Sequence, residues 1–556
     1  MELMEWIVTL RNKEDLESFY EDMETPGGNL FIPDRVVEVA NKRPTSRNTH
    51  YMLTLDEVEL IKSDDRVIGV DLAELLELTT KPHGYKITNG DFDKSWFDDA
   101  SDLNWGLLRH TEEINRSNWG DNGTSLITDD LTITASGKHV DVLIVDGHID
   151  PNHPEFAVNP DGSGGSRVIQ YNWFQNNIGA GTGTYVYDRS GSYVDPIDAE
   201  DNNHGCHCAG TVAGNTQGWA REANIYNISP YGTNPNWGSV GYSASTMWDY
   251  IRAWHNNKPI NPETGRRNPT ITNNSYGSSI ISNYSGTYTT GPVTRVRYRG
   301  VDFNPGRSLT TTELQDRGFY ATSTTTEIPN YFNSREVDIQ DAIDDGIIVV
   351  VSAGNDSWKI VNSSDQDFNN IYYMVYQGFA LSWDLHKGTG SGAGYAPAIV
   401  VGATSNRTTE EKAPFSNCGN QVDIYAAGEA IQSSVHARTG DIADPRNASY
   451  NLDKYQGTSM SGPQVAGVLA LLAESWPTMT QAEAQQWLID NASVDQMLDT
   501  GTDDSMDLNS LQGAQNRYLR WINQRAINGS TFPQKNFRPR PSSGRTYPRP
   551  RIRRRG

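Results

Sequence analysis

Four polar residues each close or open a stretch of buried character: Asp146 after Val140–Val145, His204 at the start of a small-residue helix, Asn355 after Ile347–Val351, and Ser459 ahead of the apolar run Val465–Leu472. A serine hydroxyl at a helix mouth lies beside free backbone N–H groups and the positive end of the helix dipole, where an oxyanion is stabilised. A carboxylate at the carboxyl end of a buried parallel strand stands where α/β folds put ligands and chemistry. The amide of Asn355 can donate to a developing negative charge, and His204 projects from the mouth of its helix. Taken singly, each has a plainer reading: Ser459 as a helix cap, Asp146 and Asn355 as turn residues, and His204 as a surface or capping residue.

The elements that must position these side chains share a pattern. In Gly457-Thr458-Ser459-Met460-Ser461-Gly462-Pro463, small residues admit a neighbouring chain and Pro463 suits a first helical turn. The following run is apolar on nearly every face, so that helix is buried. The His204 helix, Asn203 to Gly214, includes Gly205 and Gly210; each interior glycine costs ~1 kcal/mol against alanine, which calls for a packing reason. Ile271–Gly277 reads as a strand that loses its side chain at Gly277, letting another backbone lie alongside. Further buried strands are expected at Ala398–Ala403 and Gln421–Ala426. Alternation of strands with helices predicts an α/β fold with a doubly wound, mostly parallel sheet.

At 556 residues the chain has room for one large core with appendages. Its 50 glycines, 26 tyrosines and 14 tryptophans suit a loop-rich α/β enzyme better than a helical bundle. A net charge of −23 argues against a nucleic-acid binder as a whole. From Arg517 onward, however, there are twelve Lys/Arg and no Asp/Glu. The Pro/Arg-rich stretch 516–556 is expected to be disordered; it is either a docking tail for an acidic partner or nucleic acid, or a solvated tail. Met1–Trp6 shows no secretory signal, and no run of eighteen apolar residues predicts a spanning helix. The odd cysteine count, Cys206, Cys208 and Cys418, points to reduced thiols and an intracellular or virus-associated setting. His204 and His207 beside Cys206 and Cys208 invite a zinc reading, but the spacing is short and no second ligand pair is evident.

Residues 1–80 read as β-α-β-β-α-β, a small ferredoxin-like α+β domain. A linker and surface lead-in is expected over 81–123. The main domain spans 124–515, with insertions near 278–333 and 357–394.

Together the blocks carry a resemblance. Val145-Asp146 with Asp150 and His153-Pro154-Glu155, then His204–Gly210, Asn273–Gly277, Ala353-Gly354-Asn355 and Gly457–Met460, in that order between Val140 and Ala492, resemble the subtilisin-like serine proteases, or subtilases. The resemblance implies a subtilisin-like fold and an Asp-His-Ser triad, with Ser459 as nucleophile, His204 as base and then acid, and Asp146 orienting the imidazole. Asn355 and the Ser459 N–H would form the oxyanion hole, and Ser275-Tyr276-Gly277 would pair with an extended polypeptide substrate. It implies a serine endopeptidase working through an acyl-enzyme, with no cofactor needed for the chemistry. Structural calcium stays open, except that the turn Gly214–Gly218 is too short for the calcium loop of some subtilisins. The N-terminal domain resembles the family's inhibitory propeptide, which implies a zymogen that cleaves itself between Leu75 and Tyr85; a permanent docking domain is the alternative. The chain departs from the family at Gly147-His148, which leaves Asp146 short of a hydrogen bond, at Cys206, and at Gln464. The competing functional reading is a catalytically silent structural or peptide-binding relative.

Overall fold

The structure, a computed structural model, describes residues 3–32, 37, 39–42, 46–72, 104–111, 133, 135–171, 173, 176, 184–185, 203–229, 231–234, 238–241, 244–277, 279–283, 293–317, 325–329, 331–376, 379–387, 396–407, 409–436, 442–500 and 510–522. Its centre is a nine-stranded sheet. In the order Val168–Ile169, Asn224–Ile228, Asp141–Val145, Thr270–Asn274, Ile348–Ser352, Ile399–Thr404, Ile424–Ala427 and Arg517–Tyr518 the strands run parallel, and Ser493–Val494 closes the edge antiparallel. Side chains alternate across it. Val142 and Ile144 join the core beneath the Asn203–Ala213 and Thr458–Ser475 helices. Leu143 and Val145 join the core beneath Ala244–Asn257 and Asn333–Asp344. Helices cover both faces, which is why these strands read as continuous apolar runs.

Chain order locates the site. From Asp141–Val145 the chain passes to Val168–Ile169 and Asn224–Ile228 on one side, then returns to Thr270–Asn274 on the other. The strand order therefore reverses around Asp141–Val145, and ligands of such sheets bind beyond the carboxyl ends at that reversal. Asp146 and Ser275 each follow one of these neighbouring strands.

The N-terminal unit is an antiparallel sheet in the order Val67–Leu72, Met4–Leu10, Asn48–Leu53, Val39–Lys42. With helices Leu16–Glu24 and Leu55–Lys62 it encloses its own core of Val8, Phe19, Tyr51, Leu53, Val58 and Ile61. This is the ferredoxin-like arrangement, and its second strand, Val39–Lys42, carries a register shift before Asn41. A strand from the main domain, Thr184–Tyr185, extends the sheet beyond Val39–Lys42. The unit sits on the Asn333–Asp344 helix. Ser46 Oγ and Asn48 Nδ2 donate to Asp338 Oδ1 at 3.2 and 3.0 Å, and Arg47 pairs with Asp341 at 3.0 Å. The Ser334 N–H, in the helix's unpaired first turn, donates to Asp71 Oδ2 at 3.0 Å.

One expectation changes. Within the expected surface lead-in, Trp105–Arg109 is a buried helix of the main domain. Its polar side chains have remote partners: Arg109 pairs with Glu410 and lies 4.1 Å over the Tyr518 ring, and Trp105 Nε1 donates to the Glu429 carbonyl at 2.9 Å. The insertions near 278–333 and 357–394 also share structure, a relation the sequence left open: Arg295–Tyr298 from the first and Ile371–Tyr376 from the second pair within one four-stranded antiparallel sheet. The Leu75–Tyr85 cleavage window and the basic tail from Asn523 onward lie outside the described residues. Among the described residues no helix is long and apolar enough to cross a membrane.

Candidate active site

Ser459 is the second residue of the buried Thr458–Ser475 helix. The helix starts before Pro463 rather than at it, so the proline falls in the second turn, not the first. The cause lies in the preceding residues, which anchor an earlier turn. Thr458 N donates to Asn355 Oδ1 at 2.8 Å, Gly354 N donates to Thr458 Oγ1 at 3.1 Å, and Ser352 Oγ donates to the Thr458 carbonyl at 3.1 Å. Gly457 just ahead has φ 149° and ψ 164°, a conformation essentially reserved to glycine.

His204 opens the Asn203–Ala213 helix, packed close to its neighbours because Gly205 and Gly210 lack side chains: a Cβ at Gly205 would fall 2.1 Å from the Gly147 carbonyl oxygen, and one at Gly210 would fall 2.3 Å from Ser433 Oγ. These close approaches are the packing reason that the glycine-rich sequence demanded. The His204 Nδ1 lies 2.7 Å from Asp146 Oδ1, and both side chains are almost fully buried. Burial opposes a charged imidazole, but the adjacent Asp146 carboxylate outweighs it and holds His204 well above the ordinary histidine value. His204 Nε2 is buried with no hydrogen-bond partner among the described residues. Asp146 Oδ1 also accepts from Gly147 N at 2.7 Å, while its Oδ2 is buried without a partner among the described residues. Glycine after the aspartate thus coincides with an unfilled carboxylate oxygen, as the departure from the family pattern led one to expect.

Ser459 Oγ donates to the Ser275 carbonyl at 3.2 Å, and Ser275 Oγ donates back to the Ser459 carbonyl at 3.2 Å. Of the expected substrate strand, Ser275 thus touches Ser459 directly, Tyr276 is buried, and Gly277 is partly exposed beyond the strand's end at Asn274. Asn355 Oδ1 accepts from both Thr458 N and Thr458 Oγ1, at 2.8 and 2.9 Å. A backbone N–H only donates, so this end of the amide is its oxygen, and Nδ2 remains as a donor. A Cβ on Gly457 would come 3.3 Å from that Nδ2.

Cys208 stands one turn beyond His204 in the same helix. Its Sγ donates to the Ser459 carbonyl at 3.3 Å and lies 4.0 Å from His204 Nδ1. Asp146, His204 and Cys208 bring ligand-type atoms within 4.8 Å of one another, but the first two bond each other and the third bonds Ser459. This is a hydrogen-bonded cluster. His207 is engaged on another side: it stacks on Tyr455 at 4.6 Å, its Nε2 lies 2.8 Å from the Ile431 carbonyl, and burial pulls its pKa down to about 3. Gln464 ties the Ser459 helix to the buried 104–111 segment, accepting from Trp219 Nε1 at 2.7 Å and donating to Asn104 Oδ1 at 2.9 Å.

The turn after the His204 helix closes on Glu155. Its buried carboxylate accepts from Thr216 N and Gln217 N, both at 3.0 Å, and from the Thr216 hydroxyl and the Arg446 guanidinium. Burial would raise its pKa, but Arg446 and these donors hold it down at about 2. An arginine therefore supplies the positive charge at this turn. Replacing Arg446 with methionine, which strands the buried carboxylate, should cost about 3–5 kcal/mol of stability; urea unfolding of the Ser459→Ala form, which avoids self-digestion, measures it. Because the folded pKa is depressed, this stabilisation is complete above the unfolded value and disappears as pH falls through about 2.

Residues 137–517 match the Subtilase family. The match covers more than half of the chain, which belongs to that family. An extracellular protease of Xanthomonas campestris pv. campestris is 31% identical over 155 residues, 28% of this chain and 21% of that protein. A cuticle-degrading serine protease of Arthrobotrys oligospora is 24% identical over 403 residues, 72% of this chain and 66% of that protein. The chain thus spans about a fifth of the first relative's length and just under two thirds of the second's. Among solved structures, fervidolysin from Fervidobacterium pennivorans, a keratinolytic enzyme related to subtilisin, is similar over 93% of this chain and 60% of that one, with a TM-score of 0.48 and 19% identity.

Proposed function

We propose that this chain is a serine endopeptidase that hydrolyses peptide bonds through an acyl-enzyme. The observation that carries the reading is the buried His204, bonded to Asp146 through Nδ1 at 2.7 Å while Nε2 has no partner among the described residues, beside a serine in the first turn of a buried helix. With its proton held on Nδ1 by the carboxylate, the neutral imidazole keeps a lone pair on Nε2. The reading requires the Ser459 hydroxyl to turn from the Ser275 carbonyl, which it meets at 3.2 Å, to that lone pair. His204 then takes the proton as Oγ attacks the scissile carbonyl and returns it to the leaving amine, while Asp146 stabilises the imidazolium. The developing oxyanion receives Asn355 Nδ2 and the Ser459 N–H, which has no helical acceptor at this position. Water repeats the sequence on the acyl-enzyme. A fluorophosphonate should attach to the full chain at Ser459, located by peptide mass spectrometry. Absence of any adduct on folded, processed protein would instead favour the catalytically silent relative.

The same reading makes the N-terminal unit an intramolecular inhibitor removed by self-cleavage. Support comes from its separate core and from its seat on the Asn333–Asp344 helix through Asp71, Ser46 and Asn48. Active protein is expected to begin between Leu75 and Tyr85, while the Ser459→Ala form keeps its N-terminus. Intact-mass measurement of both forms decides, and an uncleaved active chain would make the unit a permanent docking domain.

A further inference from the structure

In a helix the carbonyl of each residue takes the N–H four residues on. For Ser459 that residue is Pro463, which has no N–H and whose ring crowds the same carbonyl. The Ser459 carbonyl is buried with its side chain, and a buried carbonyl needs a donor. Two side chains from separate elements provide one each: Cys208 Sγ at 3.3 Å and Ser275 Oγ at 3.2 Å. We propose that Cys208 and Ser275 form a clamp on the nucleophile's own carbonyl, replacing the hydrogen bond that Pro463 removes and acting as positioning residues for Ser459. The proposal rests on the peptidase reading above.

Three observations make the clamp more than a packing contact. Cys208 is fully buried, and burial raises its thiol, so it stays protonated and able to donate. Ser275 Oγ is itself fixed, taking a bond from Asn273 Nδ2 at 2.9 Å and lying 3.4 Å from Ser352 Oγ. Cys208 also stands one helical turn beyond His204 on the same face, with Sγ 4.0 Å from His204 Nδ1. The bond from Cys208 to Ser459 therefore ties the helix of the base to the helix of the nucleophile within one turn of both reactive groups. Small displacements of reacting atoms are costly to rate, and this tie acts where such a displacement would begin.

The test is a cycle on the full chain, with active sites counted by fluorophosphonate titration. Cys208→Val keeps the volume and loses the donor, Cys208→Ser keeps a donor, and Pro463→Ala restores the helical N–H. Cys208→Val should lower kcat roughly fivefold with KM unchanged, and Cys208→Ser should stay within about twofold of the parent. In the Pro463→Ala background the penalty of Cys208→Val should shrink to under about twofold. Full activity of Cys208→Val, or an equal penalty in both backgrounds, would overturn the clamp. Should Cys208→Val not fold, Ser275→Ala is read the same way, and its penalty must likewise shrink when Pro463 is alanine. A parent chain that takes no fluorophosphonate refutes the peptidase reading; a reactive parent with an indifferent Cys208→Val refutes the clamp alone.

Discussion

Replacing His204 with alanine should lower kcat about 10⁶-fold, and replacing Asp146 with alanine about 10⁴-fold. Both magnitudes belong to subtilisin's own triad and reach this chain through family membership. What this structure adds is the form of the Asp146 effect. Among the described residues both donors to the carboxylate, Gly147 N and His204 Nδ1, converge on Oδ1, each at 2.7 Å, and Oδ2 has no partner. In Asp146→Asn the amide oxygen therefore belongs at the Oδ1 position, where it accepts from both and keeps the His204 proton on Nδ1. The tautomer survives and only the charge is lost, so Asp146→Asn should be more active than Asp146→Ala. The pH profile separates the two contributions. In the proposed mechanism His204 works as the neutral base, and its pKa is raised, so the acid limb of kcat/KM is expected above the ordinary histidine range. Removing the Asp146 charge leaves burial to dominate and moves that limb to lower pH. An Asp146→Asn protein with an unmoved acid limb, or an active His204→Ala protein, would refute the assignment of base and partner.

The sequence made the scaffold legible where one rule dominated. Val140–Val145 and Ile347–Val351 are buried on both faces, so their apolar runs announced parallel strands, and the polar residue ending each run fell at the sheet's active edge. The Asn333–Asp344 helix carries Ile339, Ala342 and Ile343 at helical spacing, and Leu16–Glu24 in the N-terminal unit carries Leu16, Phe19 and Met23 in the same way. What remained hidden depended on partners far away in the chain. Trp105–Arg109 looks like surface because it contains an arginine and adjoins His110, yet Glu410 neutralises Arg109, and His110 Nε2 accepts from Ala427 N at 3.1 Å. No local pattern encodes those contacts. The Cys208 contact was partly readable: a proline four residues after the serine announces a freed carbonyl, although not which side chain fills it. Pro463 misled for a related reason, since a proline marks a first turn only when nothing earlier anchors the helix, and Asn355 anchors it at Thr458.

Exchanging Asn355 for leucine should lower kcat by about 10²–10³ with KM little changed, the magnitude of the corresponding donor in subtilisin. That substitution alone does not isolate the donor, because Asn355 does two things in this chain. Its Oδ1 holds Thr458 N and Thr458 Oγ1 at 2.8 and 2.9 Å, fixing the start of the Ser459 helix, and in the proposed mechanism its Nδ2 is the donor to the oxyanion. Asn355→Asp separates these tasks. The carboxylate keeps an oxygen for Thr458, so the helix start and the unfolding midpoint should persist. In place of the Nδ2 donor it sets a second oxygen and a negative charge against the developing oxyanion, so kcat should fall at least as far as in Asn355→Leu. Ground-state binding does not use this donor, which leaves KM in place. If Asn355 served only as a helix anchor, the ranking would invert: Asn355→Asp would stay active and Asn355→Leu would not. Steady-state kinetics of both variants, read beside their thermal midpoints, distinguishes an oxyanion donor from a structural asparagine.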